Sequence, residues 1–301
     1  MKFIVDENNE GIRADSYLAE VMQDLSRSKI QKLISSSCIK INGNSFKQSY
    51  IIRENDEIVI NDETISEKYS INKENIPLNI IWEDENMAVV YKPSGMLTHP
   101  TTQELSGTLV NALLYKYGSN LSDINGDMRR GIVHRLDRNT SGLIMIAKNN
   151  NTHEYLANEM KERKFTKKYL AIVKGNLEKE DFVIDSPIGR HPTIPYKQAI
   201  REDGRESISI VHVLKHFKDA DLAEITLVTG RTHQIRVHMA SIGHPVYNDT
   251  LYGFGKMKIK TQEQVLQSYK LEFTQPFSGK RISLEIPPDE KFEKVIKFLS
   301  A

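Results

Sequence analysis

From Leu78 onward the chain is punctuated by short apolar runs rich in β-branched residues. They include Asn79-Ile80-Ile81-Trp82, Met87-Ala88-Val89-Val90-Tyr91, Gly142-Leu143-Ile144-Met145-Ile146-Ala147, Tyr169-Leu170-Ala171-Ile172-Val173, Ser207-Ile208-Ser209-Ile210-Val211-His212-Val213 and Ala223-Glu224-Ile225-Thr226-Leu227-Val228. Runs of this length bounded by turn residues are strands. Helical spacing appears among them, for example over Thr108–Tyr117 and Thr152–Arg163. A few helices irregularly placed among many strands predict an α+β domain around one large sheet, and argue against a repeating βαβ array.

Upstream, residues 11–61 read as a separate small α+β unit. Tyr17, Leu18, Val21, Met22 and Leu25 fall at helical spacing, as do Ile30, Leu33 and Ile34 after a Ser26 cap; Ile39–Ile41 and Ile58–Ile60 then alternate as strands. The polar, aperiodic stretch between the two patterns suits a linker. The expected division is therefore a small domain over 1–64, a linker over 65–77 and a large domain over 78–301, within a length of 301 residues that allows one large core and an accessory one.

The single cysteine, Cys38, rules out an intrachain disulfide and favours a reducing compartment. No apolar run approaches the roughly 18 residues of a membrane helix, and the N-terminus turns acidic and polar where a signal peptide would be apolar. A cytoplasmic location with no membrane partner is expected. A net charge of +1 speaks against nucleic acid as partner, but its distribution does not. Arg27, Lys29, Lys32, Lys40, Lys47 and Arg53 occupy a span without one acidic residue, and Lys161, Arg163, Lys164, Lys167 and Lys168 cluster against Glu162 alone. Either run could be a solvated face; two in one chain suit a phosphate-binding surface.

The segment Gly131-Ile132-Val133-His134-Arg135-Leu136-Asp137-Arg138-Asn139-Thr140-Ser141-Gly142-Leu143 sets one carboxylate between two arginines before a Thr-Ser-Gly turn. Such an acid is expected to be ionised, a nucleophile or base rather than a proton donor, and Gly131 and Gly142 would let a substrate backbone come close. The plain alternative is a turn-capping Asp137 with solvated arginines.

This segment resembles the active-site motif of the RluA-type pseudouridine synthases. Lys92-Pro93-Ser94-Gly95 with His99-Pro100, Lys167-Lys168-Tyr169-Leu170-Ala171-Ile172-Val173-Lys174-Gly175, and Gly230-Arg231-Thr232-His233-Gln234-Ile235-Arg236-Val237-His238 followed by Gly243-His244-Pro245 and Tyr252-Gly253 match the same family in order. The N-terminal pattern Arg13-Ala14-Asp15, Ser26–Lys29 and Ile39–Gly43 resembles the S-four-like RNA-binding domain. Ala14 there replaces a leucine, Ser37-Cys38 replaces a glycine, and Asn248 stands where relatives carry glycine before Asp249.

The resemblance implies the pseudouridine-synthase fold, a large, mixed, mostly antiparallel sheet with the cleft across its middle. It implies an isomerase that needs no metal or cofactor and converts specific uridines to pseudouridine by flipping the base. Asp137 would be the catalyst, Tyr169 the surface under the flipped uracil and Arg236 the buried partner of Asp137, with Arg231 the alternative. Arg236 would sit in the first turn of a helix starting at Thr232, with Ile235, Met239 and Ile242 facing the core. Arg135 would fill the gap left by the base or bind a phosphate, and Arg27, Lys29, Lys32 and Lys40 would hold RNA. Large-subunit ribosomal RNA, free or in a precursor particle, is the implied partner of a monomer. Attack at C1′, addition to C6 and loss of a C2′ proton all remain open. A non-catalytic RNA chaperone and a nucleoside hydrolase are the other classes compatible with these residues.

Overall fold

The computed structural model describes residues 2–22, 27–60, 71–101, 103–253, 259 and 263–301, and the chain divides into two compact units, Met1–Ser70 and Ile71–Ala301. In the first unit β1 (Lys2–Ile4), α1 (Ala14–Val21), α2 (Arg27–Ser35), β2 (Ile39–Ile41) and β3 (Glu57–Ile60) form an antiparallel sheet of order β1-β3-β2 under two helices. Leu18, Ile30, Leu33, Ile39 and Ile58 are fully buried, each contributing about 1.5–3 kcal/mol by leaving water. Ser37 adopts φ 59, the left-handed conformation that the glycine it replaces would take freely. Ser26, the expected helix cap, lies outside the described residues.

The second unit runs β4 (Asn79–Glu83), β5 (Met87–Lys92), α3 (Leu109–Tyr117), β6 (Ser141–Ala147), α4 (Asn150–Lys161), β7 (Thr166–Lys174), β8 (Asp181–Asp185), β9 (Ile188–Arg190), β10 (Gln198–Ile200), β11 (Ile208–His216), β12 (Ala220–Leu227), α5 (Gln234–Ser241), β13 (Leu266–Thr274), β14 (Arg281–Glu285) and α6 (Glu290–Leu299). β9 and β10 form their own hairpin. The other strands make one sheet of order β4-β5-β6-β13-β7-β12-β11-β8, with β14 also paired to β13. Only the β13–β6 pairing is parallel among those described, so the sheet is mixed and mostly antiparallel, as expected.

The period-2 alternation divides each central strand between two cores. Ile144 and Ile146 of β6 join Ala88 and Val90 of β5 under Leu109 and Leu113 of α3, while Leu143 and Met145 join Met87, Val89 and Leu156 of α4. On β7, Tyr169, Ala171 and Val173 face the first of these cores, and Leu170 and Ile172 face Phe292 and Val295 of α6. Burial on both faces explains why these strands read as continuous apolar runs.

The expected linker requires correction. Residues 65–70 lie outside the described residues, but residues 71–77 belong to the large unit. Asn111 Nδ2 donates to the Asn72 carbonyl at 2.9 Å, the Glu74 carboxylate accepts from the Gly107 amide at 3.0 Å, and Ile71 packs on the main core. The role expected of the motif glycines changes too. A Cβ on Gly142 (φ 119) would stand 2.1 Å from the Ser268 carbonyl oxygen, and one on Gly131 (φ 72) 2.8 Å from Leu121 Cδ2. Gly142 serves the close approach of β6 to β13, and Gly131 the packing against Leu121, rather than room for a substrate backbone.

Candidate active site

The loop 135–140 leads into β6 and is held from below by the segment after β5. Lys92, fully buried, donates from Nζ to the carbonyls of Pro93 (2.8 Å), Met96 (2.8 Å) and Arg138 (3.0 Å). Ser94 Oγ donates to the Asn139 carbonyl at 2.7 Å, and Thr98 Oγ1 donates to the Leu136 carbonyl at 2.8 Å while accepting from the Leu136 amide at 3.2 Å. The upstream Lys-Pro-x-Gly segment and the Asp137 segment are thus one hydrogen-bonded body. Burial, with the charge of Lys291, pushes the Lys92 ammonium down to about 7.

Asp137 meets neither arginine beside it. Arg138 turns to Glu104, with Nη1 3.1 Å from Oε1, and Arg135 is exposed at the cavity rim. Its cation is Arg236, whose Nη1 donates to Asp137 Oδ2 at 3.1 Å. The same guanidinium binds Asp249 in two-pronged fashion, Nε to Oδ2 at 2.7 Å and Nη2 to Oδ1 at 3.0 Å. Burial opposes the charge of Arg236, but the two carboxylates outweigh it and raise its affinity for the proton. Burial likewise works against ionised Asp249, yet the bonds and charge of Arg236, with the amides of Tyr252 and Leu251, hold it below the ordinary carboxylate value. Arg231 donates instead to the Glu206 carbonyl at 3.0 Å.

Helix α5 begins two residues later than expected, at Gln234, after His233 in a left-handed turn at φ 57. Arg236 still falls in its first turn. Ile235 and Met239 are buried, whereas Ile242 is 39% exposed and does not face the core. Asn248 (φ 58) takes the left-handed conformation of the glycine it replaces, which asparagine tolerates, and so aims Asp249 inward.

Asp137, Arg135, Lys167, Tyr169, His233 and Arg236 share one cavity of about 520 Å³. Tyr169 is 6% exposed. Burial and the nearby Asp137 charge raise its phenol well above the ordinary value, so it stays protonated. The second basic cluster resolves into different roles along β7. Lys168 pairs with Glu224 at 2.7 Å, Lys164 with Glu159 at 3.1 Å and Arg163 with Glu206, while Lys167, on the face of Tyr169, lines the cavity and has its ammonium lowered by burial. Missed from sequence were Lys92 and Asp249 as anchors, and Tyr252, whose hydroxyl lies 2.8 Å from His233 Nδ1.

In the N-terminal unit Arg27 is half exposed and reaches the fully buried Asp15 at 3.2 Å, beside Arg13 at 3.0 Å. The bond from Arg13 lowers Asp15 far below the carboxylate range against its burial. Arg27 is thus braced on a carboxylate as well as available to solvent. Lys40 points outward from β2. Lys29 and Lys32 lie on α2, but their side chains fall outside the description.

Comparisons with known proteins place the chain in a family. The RNA pseudouridylate synthase family pattern matches residues 86–241, and the S4 domain pattern matches residues 12–58. An uncharacterized RNA pseudouridine synthase of Aquifex aeolicus is 41% identical over 99% of this chain and 96% of its own. The ribosomal large subunit pseudouridine synthase D of Zymomonas mobilis is 36% identical over 96% of this chain and 94% of its own. Among solved structures, human RNA pseudouridylate synthase domain containing 1 superposes with a TM-score of 0.59 at 23% identity, over 76% of this chain and 96% of that one, a likeness of fold. The chain belongs to the RluA-type RNA pseudouridine synthases, isomerases of uridine in RNA, and carries an N-terminal S4 domain.

Proposed function

We propose that this enzyme isomerises uridines of large-subunit ribosomal RNA, with Asp137 as nucleophile or base on a base flipped into the cavity. The observation that carries the reading is the make-up of the cavity wall. Among the described residues Asp137 is its sole carboxylate, facing Arg135, Lys161, Arg163, Lys167, Arg231 and Arg236. Cations around one acid suit a polyanionic substrate. Hydrolysis at an anomeric carbon ordinarily uses two carboxylates, one of them to activate water, and this wall offers one. Isomerisation needs no water: the N1–C1′ bond breaks, the uracil turns, C5 bonds to C1′, the C5 proton is lost and N1 gains one.

In this reading Tyr169 replaces the stacking that the base loses, Arg135 occupies the gap in the RNA or binds a phosphate, and Arg236 pairs with Asp137 and orients it. Arg27, Lys29, Lys32 and Lys40 bind phosphates. The relatives named for the ribosomal large subunit support ribosomal RNA, free or in a precursor particle, which implies work in the cytoplasm. Among described residues no helix is long and apolar enough to cross a membrane. The test is incubation of the purified protein with large-subunit ribosomal RNA and mapping of pseudouridine. Free uracil in place of pseudouridine would favour a hydrolase, and neither product would favour a chaperone.

Tyr169→Ala is expected to lower the single-turnover rate on long RNA by roughly 10- to 100-fold, the equivalent of about 1–3 kcal/mol of stacking, with RNA affinity nearly unchanged. Tyr169→Phe should be mild if stacking dominates and nearly as severe if the hydroxyl moves a proton. Affinity falling in step with rate would remove Tyr169 from the site. Deleting residues 1–70 should leave Ile71–Ala301 folded, since that unit has its own cores. It should also flatten log affinity against log salt by about 0.7–0.9 for each phosphate that the deletion leaves unneutralised. An unchanged slope would make the basic span of the S4 domain a solvated face.

A further inference from the structure

The two oxygens of Asp137 are not equivalent. Arg236 Nη1 at 3.1 Å and His233 Nε2 at 3.9 Å both approach Oδ2, and among the described residues no donor reaches Oδ1. His233 is itself held from behind. The Gln198 amide of β10 donates to Tyr252 Oη at 2.8 Å, which fills an acceptor position of the phenol. Among the described residues the remaining polar contact of that hydroxyl is His233 Nδ1 at 2.8 Å, which makes Nδ1 the acceptor for the phenol proton. An Nδ1 that accepts leaves the ring hydrogen on Nε2, the atom facing Asp137.

The ring has little freedom to leave this arrangement. Tyr252 meets it edge-on at 5.6 Å between centroids and is backed by the Arg236 guanidinium 5.1 Å from its own ring. His233 sits at φ 57, a conformation costly for a residue with a β-carbon that persists only where its surroundings fix it. Burial disfavours the imidazolium, against the pull of Asp137.

We propose that His233 is a positioning residue for Asp137: as the neutral Nε2–H form, set by Tyr252 and the Gln198 amide, it holds Oδ2 together with Arg236 and leaves Oδ1 to meet the substrate. This rests on the reading of Asp137 as the reacting carboxylate. At 3.9 Å the contact is longer than a hydrogen bond and acts as the Nε2–H dipole directed at the Oδ2 charge; active-site contacts of this kind commonly tighten when substrate binds.

The test uses the full-length chain in two independent ways. Long-range proton–nitrogen correlation at neutral pH without RNA, with His233 assigned by its loss in His233→Asn, should show a pyridine-type Nδ1 and a pyrrole-type Nε2, and Tyr252→Phe should turn this into a mixture. In single-turnover assays His233→Asn, which tolerates the left-handed backbone but falls short of Asp137, should lose roughly a hundredfold in kcat, the cost of a misplaced reacting group, with KM for RNA unchanged. His233→Gln, whose amide reaches as far as Nε2, should recover about tenfold of that. A pyrrole-type Nδ1, an Asn variant as fast as wild type, or equal losses in both variants would overturn the proposal. The tautomer is read without turnover, so a protein that forms no pseudouridine would sink the functional reading while leaving the tautomer result to stand or fall alone.

Discussion

Asp137→Asn is expected to abolish pseudouridine formation, lowering the single-turnover rate by roughly 10⁴-fold or more, as loss of a reacting group does. The fold should survive, because Arg236 keeps both bonds to Asp249 and can still donate to the amide oxygen. Exchanging a charged acceptor for a neutral one costs about 1 kcal/mol. RNA affinity should hold or rise slightly, since the change removes the one negative charge that the described residues place on a cavity wall rich in cations. Conversion by the variant at more than a small fraction of the wild-type rate would show that the carboxylate is not the reacting group.

The Asp137 segment was legible because its residue types are unusual together, yet its local charges misled. Arg135 and Arg138 flank the aspartate in sequence, but they turn outward to the rim and to Glu104, and the cation on the carboxylate comes from 99 residues away. In an irregular loop adjacency along the chain says little about which side chains meet, whereas a helix start fixes direction; that is why Arg236 could be placed and its other partner could not. Asp249 reaches Arg236 only through the left-handed turn at Asn248, which no periodicity announces.

The sheet shows the same division. Strands buried on both faces, such as β5 and β6, advertise themselves by unbroken apolar runs. β13 lies at the centre of the sheet and pairs β6 in parallel, yet it was not anticipated, because Gln267 and Ser268 occupy fully buried positions. Their side chains are satisfied by the carbonyls of Pro287 and Leu143, contacts that exist only once the sheet has formed. β8 and β14 are short, largely solvent-facing strands, β8 paired with β11 and β14 with β13 just before it, and too few of their residues are buried to leave an apolar run.

Arg236→Met should be the most damaging change to stability in the site, costing about 3–5 kcal/mol at neutral pH, since it leaves the fully buried Asp249 carboxylate, among the described residues, with two backbone amides and no cation. Arg236→Lys should recover much of that loss but little of the rate, because one ammonium cannot make the fork to Asp249 and also reach Asp137. The pH dependence separates this account from simple loss of packing. In the wild type Asp249 is held below its ordinary value, so its contribution is complete above about pH 4, the unfolded carboxylate value, and is lost as pH falls through the lower folded one. In the Met variant burial is unopposed by the guanidinium and pushes Asp249 upward, so that protonation relieves the fold. The stability gap between the two proteins should therefore narrow as pH falls from neutral toward 4. Urea unfolding at both pH values reads it directly, and a gap that stays constant would mean that Arg236 stabilises the protein by the packing of its side chain and not by its charge on Asp249.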